Sequence, residues 1–103
     1  MANFMKLMKQ AASMQKDMER VQGELVEKTV EFSAGGGMVT ATARGDGTLA
    51  GLKINPQVVN PAEVDMLEDL VTAAVDGALK AAKEMAAKEL GKITAGLNIP
   101  GLG

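Results

Sequence analysis

A regular stripe of apolar residues near the start of the chain is the feature that most constrains its fold. Its members recur at alternating spacings of three and four residues: Phe4, Leu7, Ala11, Met14, Met18, Val21 and Leu25. This a/d pattern predicts a long helix from about Asn3 to about Glu27 that packs against another helix. Such a helix is about 37 Å long, whereas a compact globule of about 100 residues has a radius of gyration near 13 Å. We therefore expect part of the helix to project beyond the core.

The middle of the chain changes to the alternating pattern of strands. Three strands are predicted, at Lys28–Ala34, Met38–Arg44 and Thr48–Ile54. The glycines Gly35–Gly37 between the first two favour a hairpin turn over an anion-binding nest, because they lead into another strand and not into a helix. Asp46-Gly47 is typical of a second tight turn. The result is an antiparallel three-stranded meander, whose open edges favour pairing with a second copy.

A second long helix is predicted after the strands. Asn60 can cap it, Pro61 suits the first helical position, and the helical pattern continues to about Ile93. The fold class is therefore α+β, with a long N-terminal helix, a three-stranded antiparallel meander and a long C-terminal helix. We expect residues 1–94 to form one domain and residues 95–103 to form a flexible tail rich in Gly and Leu.

The composition excludes most catalytic chemistry. The chain has no Cys and no His, which removes disulfides, thiolate ligands, histidine metal centres and triads of the Ser-His-Asp type. We therefore expect no enzyme activity, no cofactor, no metal site and no small-molecule substrate. A dense acidic cluster consists of Glu63, Asp65, Glu68 and Asp69. We expect it to stabilise the start of the second helix and not to hold a metal ion.

The start of the chain lacks the long uncharged core of a signal peptide, and no stretch approaches the ~18 uncharged apolar residues of a membrane span. These observations predict a cytoplasmic protein with no membrane partner.

Charge is distributed unevenly, although the net charge is only −2. The net charge is +3 for residues 1–16, +2 for residues 80–103 and −7 for the residues between them. If the two long helices pair antiparallel, both positive segments meet at one end. The candidate residues for binding an anionic partner are Lys6, Lys9, Lys16, Arg20, Lys80 and Lys83.

On the first helix, the basic side chains form a stripe within about 80° of each other and about 155° from the apolar seam. One interpretation is a solvated surface that aids solubility; the other is docking onto phosphates. No aromatic residue interleaves the stripe, so we expect contacts to the DNA backbone with weak sequence preference. The alternative function is a protein–protein adaptor that uses the Met-rich surface of Met5, Met8 and Ala12.

The order of these features resembles the bacterial YbaB/EbfC family of nucleoid-associated proteins. The resemblance covers nearly the whole chain and rests on five segments: Met14–Met18, Ala34–Val39, Leu52–Pro56, Leu67–Val75 and Ile99–Leu102. It implies a homodimer in which two small sheets join and helical arms project. It also implies double-stranded DNA as the partner, a cytoplasmic and nucleoid-associated location, contact through the arms and effects on gene expression.

One segment departs from the pattern of the family that the chain resembles. Members usually carry Asn-Asp-Ala after the Ala-Ala-Val of the second helix, whereas this chain has Asp76-Gly77-Ala78. We do not carry over the local contact that the usual pair makes.

Overall fold

A computed structural model describes residues 2–96 and confirms the predicted α+β fold. The elements in chain order are α1 (Ala2–Glu27), β1 (Thr29–Ala34), β2 (Val39–Arg44), β3 (Leu49–Ile54), two short 3-10 turns (Pro56–Val58 and Pro61–Glu63) and α2 (Val64–Gly96). Each strand begins one residue later than expected from the sequence. The helix α2 reaches Gly96, so the first two residues assigned to the tail are helical, and residues 97–103 lie outside the described residues.

The start of α2 differs from the sequence-based expectation. Asn60 caps the 3-10 turn before the helix, because its Oδ1 accepts a hydrogen bond from the backbone N–H of Ala62 at 3.0 Å. The α-helix itself begins at Val64. Pro61 and its neighbours therefore form a tight turn, and the cap acts on that turn instead of on the first turn of α2.

The three strands form an antiparallel sheet in the order β1-β2-β3. The glycine turn between β1 and β2 is a hairpin, with φ of 65°, 67° and 92° at Gly35, Gly36 and Gly37. Positive φ is strained for other residues, which explains the three consecutive glycines. In the second turn, the side chain of Asp46 accepts hydrogen bonds from the hydroxyl and the backbone N–H of Thr48, and these bonds lower the pKa of that carboxyl.

The core lies where α2 crosses β1 and β2. It is built mainly from small side chains, with Val39, Ala41, Ala43 and Val58 facing three alanines of α2, Ala74, Ala78 and Ala82. Small residues on both surfaces let the helix approach the sheet closely. At one point this approach depends on the absence of a side chain: a Cβ on Gly77 would overlap the ring of Phe32 in β1. Gly77, where the chain departs from the pattern of the family that it resembles, therefore leaves room for an aromatic ring.

The helix α1 leaves this core at a fixed junction. Leu25 packs on the second turn so closely that a Cβ on Gly45 would lie 2.7 Å from Leu25 Cδ2. The backbone N–H of Gly45 also donates to the carbonyl of Lys28 at 2.9 Å. Because only Lys28 separates α1 from β1, these contacts set the direction in which α1 projects.

The rest of α1 extends away from the sheet, and the molecule measures 73 × 24 × 16 Å. Val21 and Leu25 are buried, Met14 is half-buried, and the seam residues Phe4 and Leu7 are exposed. The predicted seam thus packs within the protein only along its C-terminal part. The N-terminal half of α1 is an arm, as the length of the helix predicts.

The two long helices run antiparallel where they meet. Lys28 Nζ, just after α1, lies 3.6 Å from Glu89 Oε1, and later residues of α2 lie beside earlier residues of α1. Lys92 Nζ donates to the same carboxylate at 3.2 Å. The hydrogen bond from Lys92, followed by the positive charge of Lys28, lowers the pKa of Glu89. Of these two pairs, the one between Lys28 and Glu89 links α2 to the base of the arm.

The close contact at Gly77 predicts a destabilising effect of added volume. Gly77→Ala should lower the free energy of unfolding by about 1–2 kcal/mol, because the gain in helix propensity is smaller than the cost of displacing the Phe32 ring. Chemical denaturation at one fixed protein concentration measures the change.

Gly91→Ala is the matched control, since it lies in the same helix and nothing occupies the space of its Cβ within 4 Å. It should raise the stability by up to about 1 kcal/mol. Equal effects of the two substitutions would contradict the packing of Phe32 on Gly77.

The ion pairs of Glu89 with Lys28 and Lys92 predict that the stability depends on pH. Because the pKa of Glu89 is lower in the folded state than its ordinary value of 4.5, the ionised carboxylate stabilises the folded protein at pH values above 4.5. This stabilisation is lost as the pH falls through the lowered pKa. Glu89→Gln should therefore lower the Tm at pH 7. The difference in Tm between this variant and the parent protein should become smaller below pH 4. Glu84→Gln serves as the control. A difference that stays constant from pH 7 to pH 3 would disprove the role of these ion pairs.

Candidate nucleic-acid interface

Three lysines on the arm form the candidate interface. Lys6, Lys9 and Lys16 are exposed on the face of α1 opposite the apolar seam. None of them forms an ion pair within residues 2–96. The sequence from residue 2 to residue 16 contains no acidic residue that could neutralise them. Their charge is therefore available to an anionic partner.

The rigidity of the helix determines how these lysines are spaced. Lys6 and Lys9 are about 4.5 Å apart along the axis, and Lys9 and Lys16 about 10 Å. The side chains are long and flexible, so each can reach an anionic group within several ångströms of the helix. An array of separate positive charges on a rod suits a partner with regularly repeated negative charges.

Arg20 continues the stripe but differs from the lysines in its surroundings. Its guanidinium lies 3.8 Å from Asp17 Oδ1 and 3.3 Å from Glu24 Oε1, both on the same helix. All three side chains are substantially exposed, so water screens these pairs. The two carboxylates reduce the positive potential at the base of the arm relative to its tip.

Lys80 and Lys83 lie on the body of the protein and not on the arm. Lys80 Nζ is 3.0 Å from Asp76 Oδ2, and the side chain lies beside Phe32 and Gly77 over β1. Lys83 is exposed and forms no ion pair within the part of the chain that is described. Counting residues along the antiparallel helices, with Ile93 and Met14 in one groove, puts Lys80 about 30 Å or more from Lys6 along the long axis. The structure therefore separates these two lysines from the stripe that the sequence placed with them.

The lysine of α2 that does lie beside α1 is Lys92. It lines the groove between the two helices together with Arg20, Val21 and Ile93. Lys92 was not among the candidates from the sequence. Its position follows once Glu89 is matched to Lys28, because α2 then runs back along α1.

The contacts of the remaining polar residues are accounted for by the fold. Ser33 Oγ and Thr40 Oγ1 are 2.7 Å apart across β1 and β2, on the sheet face away from α2. Asp65 lies in the first turn of α2, where a carboxylate interacts favourably with the helix dipole. No group of residues suited to holding a metal ion occurs between residues 2 and 96. In the same range, no helix is long and apolar enough to cross a membrane.

Comparisons with known proteins agree on the class of the protein. The chain is 51% identical over 100 residues to a nucleoid-associated protein of Alkaliphilus metalliredigens, and the match covers 97% of this chain and 88% of that protein. It is 56% identical over 101 residues to a nucleoid-associated protein of Acetivibrio thermocellus, with 97% and 89% of the two chains covered.

The fold also has a counterpart among solved structures. The crystal structure of an uncharacterized protein from Helicobacter pylori superposes with a TM-score of 0.76 and covers 88% of this chain and 96% of that chain. At 20% sequence identity, this similarity concerns the fold alone.

A family model matches nearly the whole chain. The model of the YbaB/EbfC DNA-binding family matches residues 1–97, which include the arm, the sheet and all of α2. With relatives at about half identity over 97% of its length, the chain belongs to the YbaB/EbfC DNA-binding family.

Proposed function

We propose that this protein is a non-enzymatic homodimer that binds the backbone of double-stranded DNA through α1, with weak sequence preference. The observation that carries the proposal is the acid-free face of the arm, where Lys6, Lys9 and Lys16 are exposed and project away from the acidic body. Contacts with phosphates release counterions, which makes the affinity fall as the salt concentration rises. The family membership and the names of the relatives support the same partner.

The chemistry of the arm favours phosphates over bases. Its basic face contains Lys and Arg but no aromatic side chain on which a base could stack. Lysine is a flexible point charge and supplies little of the fixed geometry that reads base edges. We therefore expect duplexes of different sequence to bind with similar affinity.

Lys80 and Lys83 form a weaker, second contact in this proposal. They lie about 30 Å or more from Lys6 on the arm, a distance that corresponds to about nine base pairs or more at 3.4 Å per step. Asp76 shares the charge of Lys80, so this contact contributes less than the arm does. Arg20, which is paired with Asp17 and Glu24, is intermediate.

Exposed apolar residues on β3, at the edge of the sheet face on which α2 packs, support a homodimer. Leu49 and Leu52 point to the same face of the sheet as the buried residues of β2, yet they are 43% and 45% exposed. Val59, Val64 and Met66 are also exposed large apolar residues. Because β3 is an edge strand, a second copy that packs there would cover both its backbone edge and its apolar side chains.

Two copies would present two basic arms to one duplex. Attachment of the first arm raises the effective concentration of the second, so the dimer binds more tightly than a single arm. We propose on this basis a cytoplasmic, nucleoid-associated protein that influences gene expression. The family comparison favours this function over the adaptor hypothesis, although Met5 and Met8 are exposed.

The arm assignment predicts the effect of charge reversal. Lys6→Glu with Lys9→Glu should weaken duplex binding by about tenfold to a hundredfold near 0.1 M salt, since each lost phosphate contact changes the slope of log affinity against log salt by about 0.9. Fluorescence anisotropy titrations over a range of salt concentrations measure both the affinity and the slope.

Lys80→Glu with Lys83→Glu is the matched control, because it changes the net charge equally. It should weaken binding less than the reversal on the arm. Equal losses from the two double variants would indicate a general charge effect and would refute the arm as the main contact.

The dimer assignment makes a prediction about the two faces of β3. Leu49→Gln with Leu52→Gln should shift the protein from dimer to monomer, because amides replace the apolar contact between copies. Lys53→Gln, on the opposite face of the same strand, should leave the dimer intact. Light scattering across a dilution series measures the mass. A monomeric parent protein, or dissociation caused by Lys53→Gln alone, would contradict this interface.

A further inference from the structure

The outer edge of β1 has no strand beside it among residues 2–96, because the sheet ends there in the order β1-β2-β3. The backbone N–H of Gly45 donates to the carbonyl of Lys28, so the even-numbered residues of β1 form the bonds to β2. The backbone N–H and C=O groups of Thr29, Glu31 and Ser33 therefore point outward. Such a row of free backbone groups is a template for pairing with another strand.

Phe32 provides an apolar anchor beside this edge. Its ring lies on the sheet face that α2 covers and packs on Gly77, yet 44% of the residue is exposed. The shallow groove next to the ring is lined by small residues of α2, Ala73, Gly77 and Ala81. The exposed ring belongs neither to the basic arm nor to the apolar surface of β3.

The side chains of β1 select one register for pairing with an antiparallel copy of the same strand. Direct opposition of Glu31 to the partner's Glu31 would place two like charges side by side, which is destabilising. A shift of two residues instead places Glu31 opposite the partner's Ser33, whose hydroxyl can donate to the carboxylate. The same shift places Phe32 opposite the partner's Phe32, in a non-hydrogen-bonded pair where side chains approach most closely.

We infer that the outer edge of β1 is a docking surface for a second copy of this chain, which pairs with it antiparallel about Phe32. The outward backbone groups of Glu31 and Ser33 then bond to the same two residues of the partner. The two aromatic rings pack together, and each covers the exposed part of the other. The glycine turn between β1 and β2 of one copy comes beside Thr29 of the other, where glycines bring no side chain that could obstruct the approach.

The position of α2 is compatible with this pairing. Because α2 lies over β1 and β2, the two copies of α2 would lie side by side, two to three strand spacings or about 10–14 Å apart. Helices in direct contact are about 8–10 Å apart, so the two Phe32 rings fill the remaining gap. Asp76 and Lys80 lie at the rim of the same groove as an ion pair. Their charges compensate each other, so the rims of two copies do not repel.

This contact extends the proposed homodimer, whose copies meet at the opposite edge of the sheet, β3. A chain that pairs at both edges joins dimers into an open row. The β1 contact consists of one strand and the flank of one helix, and we expect it to bury less than the roughly 1,200 Å² at which stable interfaces begin. Dimers should therefore prevail in dilute solution and larger species at high protein concentration. The contact itself does not depend on DNA binding, although dimers concentrated on a duplex as proposed above would meet through it.

Disulfide trapping between two single variants tests the register, because the chain has no native Cys. Glu31→Cys protein and Ser33→Cys protein are mixed in the millimolar range, without DNA, and oxidised together. The inferred pairing holds the two introduced thiols opposite each other, with Cα atoms about 5.5 Å apart, a distance that a disulfide spans. The mixed disulfide should form at least tenfold faster than either homodisulfide, as measured by mass spectrometry of the products. Products in statistical proportions would overturn the inference.

A proline substitution gives a second readout in which no cross-link is formed. Glu31→Pro removes an outward N–H and no bond to β2, and an edge strand tolerates proline at such a position. In the millimolar range, the average mass of the parent protein by light scattering should be at least one and a half times that of Glu31→Pro. Glu31→Gln, which loses the same charge but keeps the N–H, is the matched control and should behave like the parent protein. Equal masses of the parent protein and Glu31→Pro would disprove the contact, whatever the DNA titrations show.

Discussion

The length of α1 relative to the rest of the protein is the constraint on which the structure depends. Its 26 residues extend about 39 Å, whereas strands of six residues extend about 20 Å. The sheet can therefore cover only one end of the helix. The core is made of alanine, valine and glycine surfaces that approach closely, which holds the base of the arm while leaving its tip free of the sheet.

Charge follows the same division between body and arm. The acidic residues lie mostly in the body and at the base of α1, where carboxylates pair with Arg20, Lys28, Lys80 and Lys92. The lysines nearest the tip have no such partners among residues 2–96. A protein with a net charge of −2 can in this way present a locally positive surface. Net charge alone would have pointed away from an anionic partner.

Periodicity predicted the elements well, because the pattern from Phe4 to Leu25 and the alternation in β2 reflect local geometry. It could not predict contacts that depend on how the elements meet. The fit of Phe32 on Gly77 requires knowing that α2 crosses β1 at that residue. The separation of Lys80 from the arm likewise depends on the axial register of the two helices, which Lys28 and Glu89 define. Sequence distance gives the direction of α2 but not this register.

The most direct test of the account is to map the surface that contacts DNA. Backbone amide resonances of the protein can be followed by NMR while a short duplex of arbitrary sequence is added at moderate salt. We expect the largest shifts between residues 3 and 20, on the face of α1 that carries Lys6, Lys9 and Lys16, and we expect added salt to reverse them. Shifts confined to the sheet, or no shifts at low salt, would contradict the account.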